Sequence, residues 1–360
     1  MATLSGAYRK TPLHPRHIIP IDFQSLKHVP ESHSWPSSDH GGLVMRSQLL
    51  ENSDDGASLP VIDLGDPDAL ILVGRACEEW GMFQVTNHGI SSSLLRDVES
   101  ETRRFFSLPA KEKMKALRSP GDVSGYGVAR ITPFFEKFMW HEGFTILGSP
   151  VEHTRELWPH GYQRFCEVME VYQKRMKELA ERLLVVILKS VGIREECMGW
   201  SRFPAARHDG PTPCTALQLN SYPPCPDPAR AVGLAAHTDS FLLTVLHQAS
   251  SIHGLQVLKE GTGWVRVVPV DGALVVNVGD MLHIMSNGRF RNVRHRVVVN
   301  QTGHRMSIAY FYGPPIDYQI SPVVQDGSSC PGRFRPVTVQ EYIEMKAKNL
   351  EGAISRISET

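Results

Sequence analysis

His237 and Asp239 stand two positions apart in Leu234-Ala235-Ala236-His237-Thr238-Asp239-Ser240, an apolar stretch of strand character. Alternate side chains of a strand share a face, so the imidazole and the carboxylate are expected to project together, with Thr238 opposite. One nitrogen and one oxygen donor on one face are two members of the 2-His-1-carboxylate facial triad that holds non-haem Fe(II). The third ligand has to come from another strand. The strand-rich half of the chain offers His237, His247, His253, His283, His295 and His304. His295, in Val293-Arg294-His295-Arg296-Val297, opens a strand soon after the Asn287-Gly288 turn. In a double-stranded β-helix a histidine at that separation from the first pair can return to the same mouth. His247 and His253 lie toward a Ser-rich loop, His304 follows a turn, and His283 lies near a strand end, so none of these is expected to ligate. Asp280 reads as a turn residue after Gly279.

His237, Asp239 and His295 together leave metal positions open, which suit a bidentate acid and then dioxygen. Arg305 follows His295 by ten positions, in Arg305-Met306-Ser307. A guanidinium binds a carboxylate through two parallel hydrogen bonds. Strand parity places Arg305 and Ser307 on one face, where they could grip the far carboxylate of a keto acid held on the metal. The same parity carries Ala309 and Phe311 inward, making Phe311 an apolar wall for the primary substrate. There is no G-x-S-x-G nucleophile motif.

These residues need a scaffold, and the chain's texture indicates which. From Thr215 onward short strands recur: Ala216–Tyr222, Leu234–Asp239, Leu242–Leu246, Leu255–Leu258, Trp264–Val268, Ala273–Val278, His295–Asn300 and Met306–Phe311. Gly- and Asn-containing turns separate them, which argues for an antiparallel sandwich or barrel. The expected fold is mainly β with flanking helices, around a double-stranded β-helix (jelly roll, cupin-like) core. Before it lie a strand at 59–64, a helix at 67–80, a strand at 82–85, a helix from about Ser91 to Phe106, and a Gly/Pro-punctuated loop at 119–133. An unusually aromatic segment, 134–146, ends in a strand. The longest helix opens at Pro159 or Gln163, with Phe165, Val168, Met169, Tyr172, Met176, Leu179, Leu183 and Ile187 as its buried stripe. The divisions are a loosely ordered arm at 1–57, with one short helix near Asp22–Lys27, and an N-terminal helical region at 58–205 that contributes a substrate loop. The jelly-roll core follows at 206–335, then a C-terminal helix (Val339–Leu350) and tail at 336–360.

The 360 residues carry 38 Lys+Arg against 38 Asp+Glu, a balance that argues against nucleic acid or a membrane surface as partner. No apolar run approaches the ~20 residues that span a bilayer, and the N-terminus lacks a signal-peptide core. Six scattered cysteines without a C-x-x-C read as reduced thiols, hence a cytoplasmic chain that could also enter the nucleus by diffusion. The chain is expected to be a monomer.

Several stretches resemble the plant 2-oxoglutarate- and Fe(II)-dependent dioxygenases. They are Asn220-Ser221-Tyr222-Pro223-Pro224-Cys225-Pro226, the H-T-D at 237–239, the S-N-G at 286–288, His295 and the R-M-S at 305–307, with Val61-Ile62-Asp63-Leu64 and the segment 80–89 in the N-terminal half. The resemblance covers roughly residues 59–340. It implies Fe(2+), 2-oxoglutarate and O2 as cofactor and co-substrates, and ascorbate as reductant. It also implies oxidative decarboxylation of 2-oxoglutarate to succinate and CO2, coupled to hydroxylation of a substrate. By the same resemblance Tyr222 hydrogen-bonds 2-oxoglutarate and Asn220 lies close by. The segment from Ser124 to Ile146 is similar to the gibberellin 3β-dioxygenases, which hydroxylate C-3β of C19 gibberellins. A small rigid diterpenoid carboxylate would need apolar walls and one cation. The walls are expected from the aromatic loop, with Tyr126, and from Phe311. The cation is expected from Arg130 or Lys137.

Phe241, after H-T-D-S, and the Tyr310 to Tyr312 stretch depart from the subgroup's pattern near the expected mouth. They leave hydroxylation at C-1 or C-2, 2,3-desaturation, or another plant metabolite as alternatives. A non-catalytic jelly-roll binding protein is the distant one, disfavoured because His237, Asp239, His295 and Arg305 are all present.

Overall fold

The computed structural model describes residues 3–36, 58–193, 212–249, 251–323 and 332–359. In chain order, α1 (Leu4–Tyr8) precedes β1 (Val61–Asp63), α2 (Ala69–Glu79), β2 (Met82–Thr86), α3 (Ser92–Phe106) and α4 (Ala110–Lys113). Next come β3 (Gly125–Gly127), β4 (Glu142–Ile146), α5 (Val151–Leu157) and α6 (Gln163–Ser190). The strand-rich half holds β5 (Cys214–Tyr222), β6 (Val232–His237), β7 (Leu243–His247), β8 (Leu255–Lys259), β9 (Gly263–Arg266) and β10 (Leu274–Val278). It continues with α7 (Asp280–Met285), β11 (His295–Val298), β12 (Arg305–Gly313), β13 (Gln319–Ile320) and β14 (Val337–Thr338), then α8 (Val339–Asn349) and α9 (Gly352–Ser355).

Two sheets face each other, as a double-stranded β-helix requires. The larger runs β1-β2-β10-β7-β12-β5-β4-β3 and the smaller β6-β11-β8-β9. The larger sheet recruits β1 to β4 from the N-terminal half, so the two halves of the chain build one sheet rather than two bodies. Helix α6 buries the stripe read from the sequence, Phe165 to Ile187, against this sheet and against α2 and α3. Ser91 caps α3 as its hydroxyl accepts from the Leu94 amide. Along β12, Met306, Ile308, Tyr310 and Tyr312 join the core beneath α6, while the alternate residues turn the other way, toward the smaller sheet.

Three expectations change. Residues 3–36 do not hang loosely: α1 and successive short turns at 15–17, 23–25 and 31–33 place Leu4, Ala7, Ile18, Phe23, His33 and Trp35 in buried positions. The aromatics of 134–146 explain this. Trp140 packs edge-on to Phe23, with ring centroids 4.9 Å apart, and Phe138 stacks on His33 at 5.5 Å. Asp280 and His283 belong to helix α7, not to a turn and a strand end. Asp239 lies beyond the end of β6, which stops at His237, so the H-x-D pair is not a same-strand pair.

Beside the cavity described below, Lys113 and Glu142 form a buried ion pair at 2.6 Å, and Glu142 also accepts from the Tyr126 hydroxyl and from Ser221 Oγ at 3.1 Å. The pair ties α4 to β3, β4 and β5. Lys113→Met leaves a buried carboxylate without its cation, a change that typically costs about 3–5 kcal/mol. A clear fall in the melting temperature is expected, and an unchanged one would mean that the pair does not hold these elements together.

Candidate active site

Register pairs His295 of β11 directly with His237 of β6, and their ring centroids lie 4.4 Å apart. The turn after β6 folds Asp239 back so that its Oδ1 lies 3.7 Å from His237 Nε2 and 3.8 Å from His295 Nε2. One donor atom from each of the three lies within 4.8 Å of the others. Each ring is held by its far nitrogen: His237 Nδ1 donates to the Ala235 carbonyl (2.8 Å) and His295 Nδ1 to the Val293 carbonyl (3.2 Å). Both Nε2 atoms are thereby presented as lone-pair donors. Asp239 is divided in the same way. Its Oδ2 accepts from Thr244 Oγ1 (2.7 Å) and Asn277 Nδ2 (3.1 Å), leaving Oδ1 to face the imidazoles.

Burial, the largest effect, disfavours charge on both His237 and Asp239. It lowers His237, and His295 beside it adds to the drop. For Asp239 burial alone would raise the carboxyl, but His295, His237, Thr244 and Asn277 together hold it below the ordinary range. A neutral His237 imidazole beside an ionised Asp239 carboxylate gives ligand forms that a divalent ion needs.

The cluster opens into a cavity of about 420 Å³ between the sheets. Strand parity organises its wall. Arg305, Ser307, Ala309 and Phe311 of β12 all line it, and register sets them opposite Tyr222, Asn220, Gln218 and Ala216 of β5, which line it too. Thr244 and Leu246 of β7 continue the same face. Arg305 is 2% exposed, and its Nε and Nη1 have no partner, while Nη2 donates to Gln248 Oε1 at 3.3 Å. A buried guanidinium with two unpartnered nitrogens, on a residue that lines a cavity, fits a carboxylate. Its aliphatic stem passes so close to Gly254 that a Cβ there would sit 2.7 Å from Arg305 Cδ. The Tyr222 hydroxyl lies against Ser307 and Arg305; burial pushes it up to about 12, against the pull of Arg305, so it remains an O–H donor. Asn220 Oδ1 accepts from His141 Nε2 (3.0 Å).

At the other end of the cavity Phe241 lies 6.4 Å from Phe311, ring to ring. Gly313 makes room for it, since a Cβ there would meet Phe241 Cδ1 at 2.3 Å. Arg130 lines the cavity. Its guanidinium stacks 4.2 Å over the Tyr8 ring and donates to the carbonyls of Asp122 and Thr11. Lys137 does not line the cavity; it pairs with Glu31 at the surface, 2.9 Å away. Tyr126 is core, turned to Glu142; of the aromatic segment 134–146, Phe134, His141 and Thr145 line the cavity among the described residues, Phe134 being the one phenylalanine, tyrosine or tryptophan. Tyr310 and Tyr312 face α6 rather than the mouth.

Sequence reasoning passed over Arg118, His141 and Lys346, which all line the cavity. Arg118 is buried with its Nε bare, and burial, reinforced by Arg130, pushes it down to about 9. The buried ring of His141 has no partner at Nδ1. No spacing rule joins these residues to the H-x-D pair, because loops and a terminal helix deliver them. Thr244, five positions past Asp239, lies across a turn on the following strand, so parity with Asp239 could not announce it.

The donor set fits a first-row divalent ion and the Arg305 end fits a dicarboxylate. Comparisons with known proteins agree with that chemistry. The 2OG-Fe(II) oxygenase superfamily matches residues 213–314, and the family described as non-haem dioxygenase in morphine synthesis N-terminal matches residues 59–163. The chain is 49% identical over 358 residues to gibberellin 3-beta-dioxygenase 1 of Pisum sativum, covering 99% of this chain and 94% of the relative. It is 45% identical over 357 residues to gibberellin 3-beta-dioxygenase 1 of Arabidopsis thaliana, covering 99% and 98%. Among solved structures, JOX2 in complex with 2OG, Fe and JA superimposes with a TM-score of 0.77 at 28% identity, covering 95% of this chain and 98% of that one. The rice dioxygenase for auxin oxidation does so with a TM-score of 0.68 at 28% identity, covering 84% and 100%.

Titration with Mn(II), a redox-stable stand-in for Fe(II), should saturate at one ion per chain. His295→Ala should weaken that binding by more than the ~10–100-fold typical of losing an outer partner of a metal ligand. Undiminished Mn(II) affinity in His295→Ala would remove this residue from the cluster's role.

Proposed function

The chain belongs to the 2OG-Fe(II) oxygenase superfamily and, within it, to the gibberellin 3-beta-dioxygenase family, and from that premise we propose that it hydroxylates a C19 gibberellin at C-3β. It is a 2-oxoglutarate-dependent dioxygenase that uses Fe(2+) and O2. In balance, one gibberellin C–H, one 2-oxoglutarate and one O2 give one C–OH, one succinate and one CO2. The observation that carries the reading is the His237–Asp239–His295 cluster sharing one apolar cavity with the Arg305 guanidinium, whose Nε and Nη1 have no hydrogen-bond partner.

In this reading His237, Asp239 and His295 hold the iron. When bound, Fe(II) supplies the dioxygen activation that couples loss of CO2 from the keto acid to oxygen insertion into the substrate. The chain's own residues do the rest. Arg305 takes the far carboxylate of 2-oxoglutarate through its two bare nitrogens, with Ser307 and the Tyr222 hydroxyl beside it and Asn220 nearby. Thr244 and Asn277 keep Asp239 Oδ1 facing the metal. Phe241, Phe311, Leu234 and Leu246 exclude water and orient the rigid terpenoid skeleton. Arg130, with Arg118 behind it, supplies the cationic end for the substrate carboxylate, the part first shared between Arg130 and Lys137.

The four described cysteines are free and buried, which supports reduced thiols and a cytoplasmic setting. Ascorbate is the reductant of this reading. A monomer is the oligomeric state of this reading. No helix of the described residues is long and apolar enough to cross a membrane. The jelly-roll core at 206–335, with the helical region 58–205 supplying the substrate loop, is the working division of the chain.

The deciding experiment is mass-spectrometric product identification after incubation with a panel of C19 gibberellins, Fe(II), 2-oxoglutarate and ascorbate. A 3β-alcohol with stoichiometric succinate is the expected product. A C-1 or C-2 alcohol, or a 2,3-alkene, would move the site of oxidation to a neighbouring carbon. Absence of succinate with every gibberellin would overturn the assignment.

The two cationic ends make a reciprocal prediction. Arg305→Leu should raise the KM for 2-oxoglutarate, since breaking a buried charge-assisted clamp costs about 2–5 kcal/mol. Arg130→Met should instead raise the KM for gibberellin, by about 1.5–3 kcal/mol or roughly ten- to a hundred-fold. Steady-state kinetics with each substrate varied in turn would assign the ends, and a swapped pattern would reverse them.

A further inference from the structure

Asp280 opens α7 with its carboxylate fully buried, outside the cavity lining. A buried carboxylate is tolerated only where every oxygen is engaged. Here Asn292 Nδ2 donates to Oδ1 at 2.8 Å, and Oδ2 accepts from the Tyr342 hydroxyl at 2.7 Å and from Lys346 Nζ. These partners come from the segment leading to His295 and from α8.

The network also reaches the ligands. The backbone amide of Asp280 donates to the carbonyl of Asp239 at 2.8 Å. Lys346 Nζ, besides pairing with Asp280, donates at 2.6 Å to the hydroxyl of Thr238, the residue between the two ligands of the turn. Asn292 immediately precedes Val293, whose carbonyl fixes the ring of His295. One carboxylate is therefore connected to the turn carrying His237 and Asp239, to the approach to His295, and to the C-terminal helix.

We propose that Asp280 is a positioning residue for the metal site and that, through Lys346 and Tyr342, it makes helix α8 a working part of that site. The inference rests on the reading of His237, Asp239 and His295 as metal ligands. None of the three network residues touches the metal donors by side chain. They set how rigidly the turn and the strand entry present those donors, and outer partners of this kind tune metal affinity by ~10–100-fold.

The test measures Mn(II) affinity and melting temperature on the full chain, with no gibberellin present. The double variant Asp280→Asn/Lys346→Met removes both charges together, so no unpaired charge stays buried. It is expected to bind Mn(II) ~10–100-fold more weakly. Thr238→Val, which deletes only the hydroxyl that Lys346 grips, should weaken binding in the same direction and carries the test if the double variant does not fold. Lys113→Met, whose buried pair lies on β4 away from this network, should melt lower yet keep its Mn(II) affinity. Parental affinity in both network variants would overturn the proposal, as would an equal loss of affinity in Lys113→Met, because affinity would then merely follow stability. A parent protein that binds no Mn(II) would overturn the ligand assignment itself, and the proposal with it.

Discussion

The antiparallel register of β11 against β6 is the constraint on which the site depends. It sets His295 beside His237, although 57 residues separate them in the chain. Each imidazole then needs its Nδ1 engaged so that Nε2 is left for a metal, and the nearby carbonyls of Ala235 and Val293 do this at no cost in side chains. Asp239 cannot join by strand parity, because the strand has already ended. It joins through the turn, and the turn is held from behind by the Asp280 amide and from the side by Thr244 and Asn277.

The second organising fact is that one face of the larger sheet is cavity and the other is core. Along β12 the alternation separates Arg305, Ser307, Ala309 and Phe311 from Met306, Ile308, Tyr310 and Tyr312. A register slip of one residue would exchange the two sets and bury the guanidinium under α6. The pairing with β5 and β7 on both sides makes that slip costly, since every opposite residue would change face as well. The bare nitrogens of Arg305 are thus enforced by the sheet. The close passage of its stem over Gly254 narrows the remaining freedom.

What was legible in the sequence follows from these two rules. His237, His295, Arg305, Ser307 and Phe311 were readable because turn residues and a period of two mark strands, and strands return side chains to one mouth; Asp239 was picked out by its spacing from His237, although a turn and not strand parity brings it in. The long helix α6 was readable from its buried stripe. Phe241 was singled out by its departure from a resembling pattern, and it does face the cavity, whereas Tyr310 and Tyr312 were singled out in the same way and do not. Lys137 and Tyr126 were misplaced because membership of an aromatic, basic loop says nothing of which way each side chain turns. Lys137 found Glu31 in a segment expected to be loose, and Tyr126 found Glu142. Arg118, His141 and Lys346 had no periodic context that could announce them.

The difference between the two kinds of residue has a consequence for specificity. The metal and Arg305 ends are built on paired strands, where backbone hydrogen bonds fix each position. The opposite end is built from Leu4 and Tyr8 of α1, the loop around Arg118 and Arg130, Ala347 of α8 and Leu350 just past its end. Those segments are held to one another by side chains and isolated backbone bonds rather than by a ladder: Arg130 stacks on Tyr8, Lys10 of the N-terminal segment pairs with Glu344 of α8 at 2.8 Å, and the Leu13 amide donates to the Pro120 carbonyl at 2.9 Å. Substitutions there can reshape that end of the cavity without shifting a strand or moving the His237–Asp239–His295 cluster. Lys346 is where that freedom stops. It belongs to the same helix as Ala347 of the cavity wall, but it is tied to Asp280 and Thr238, so a movement of α8 large enough to re-aim Ala347 and Leu350 would also pull on the turn that carries Asp239.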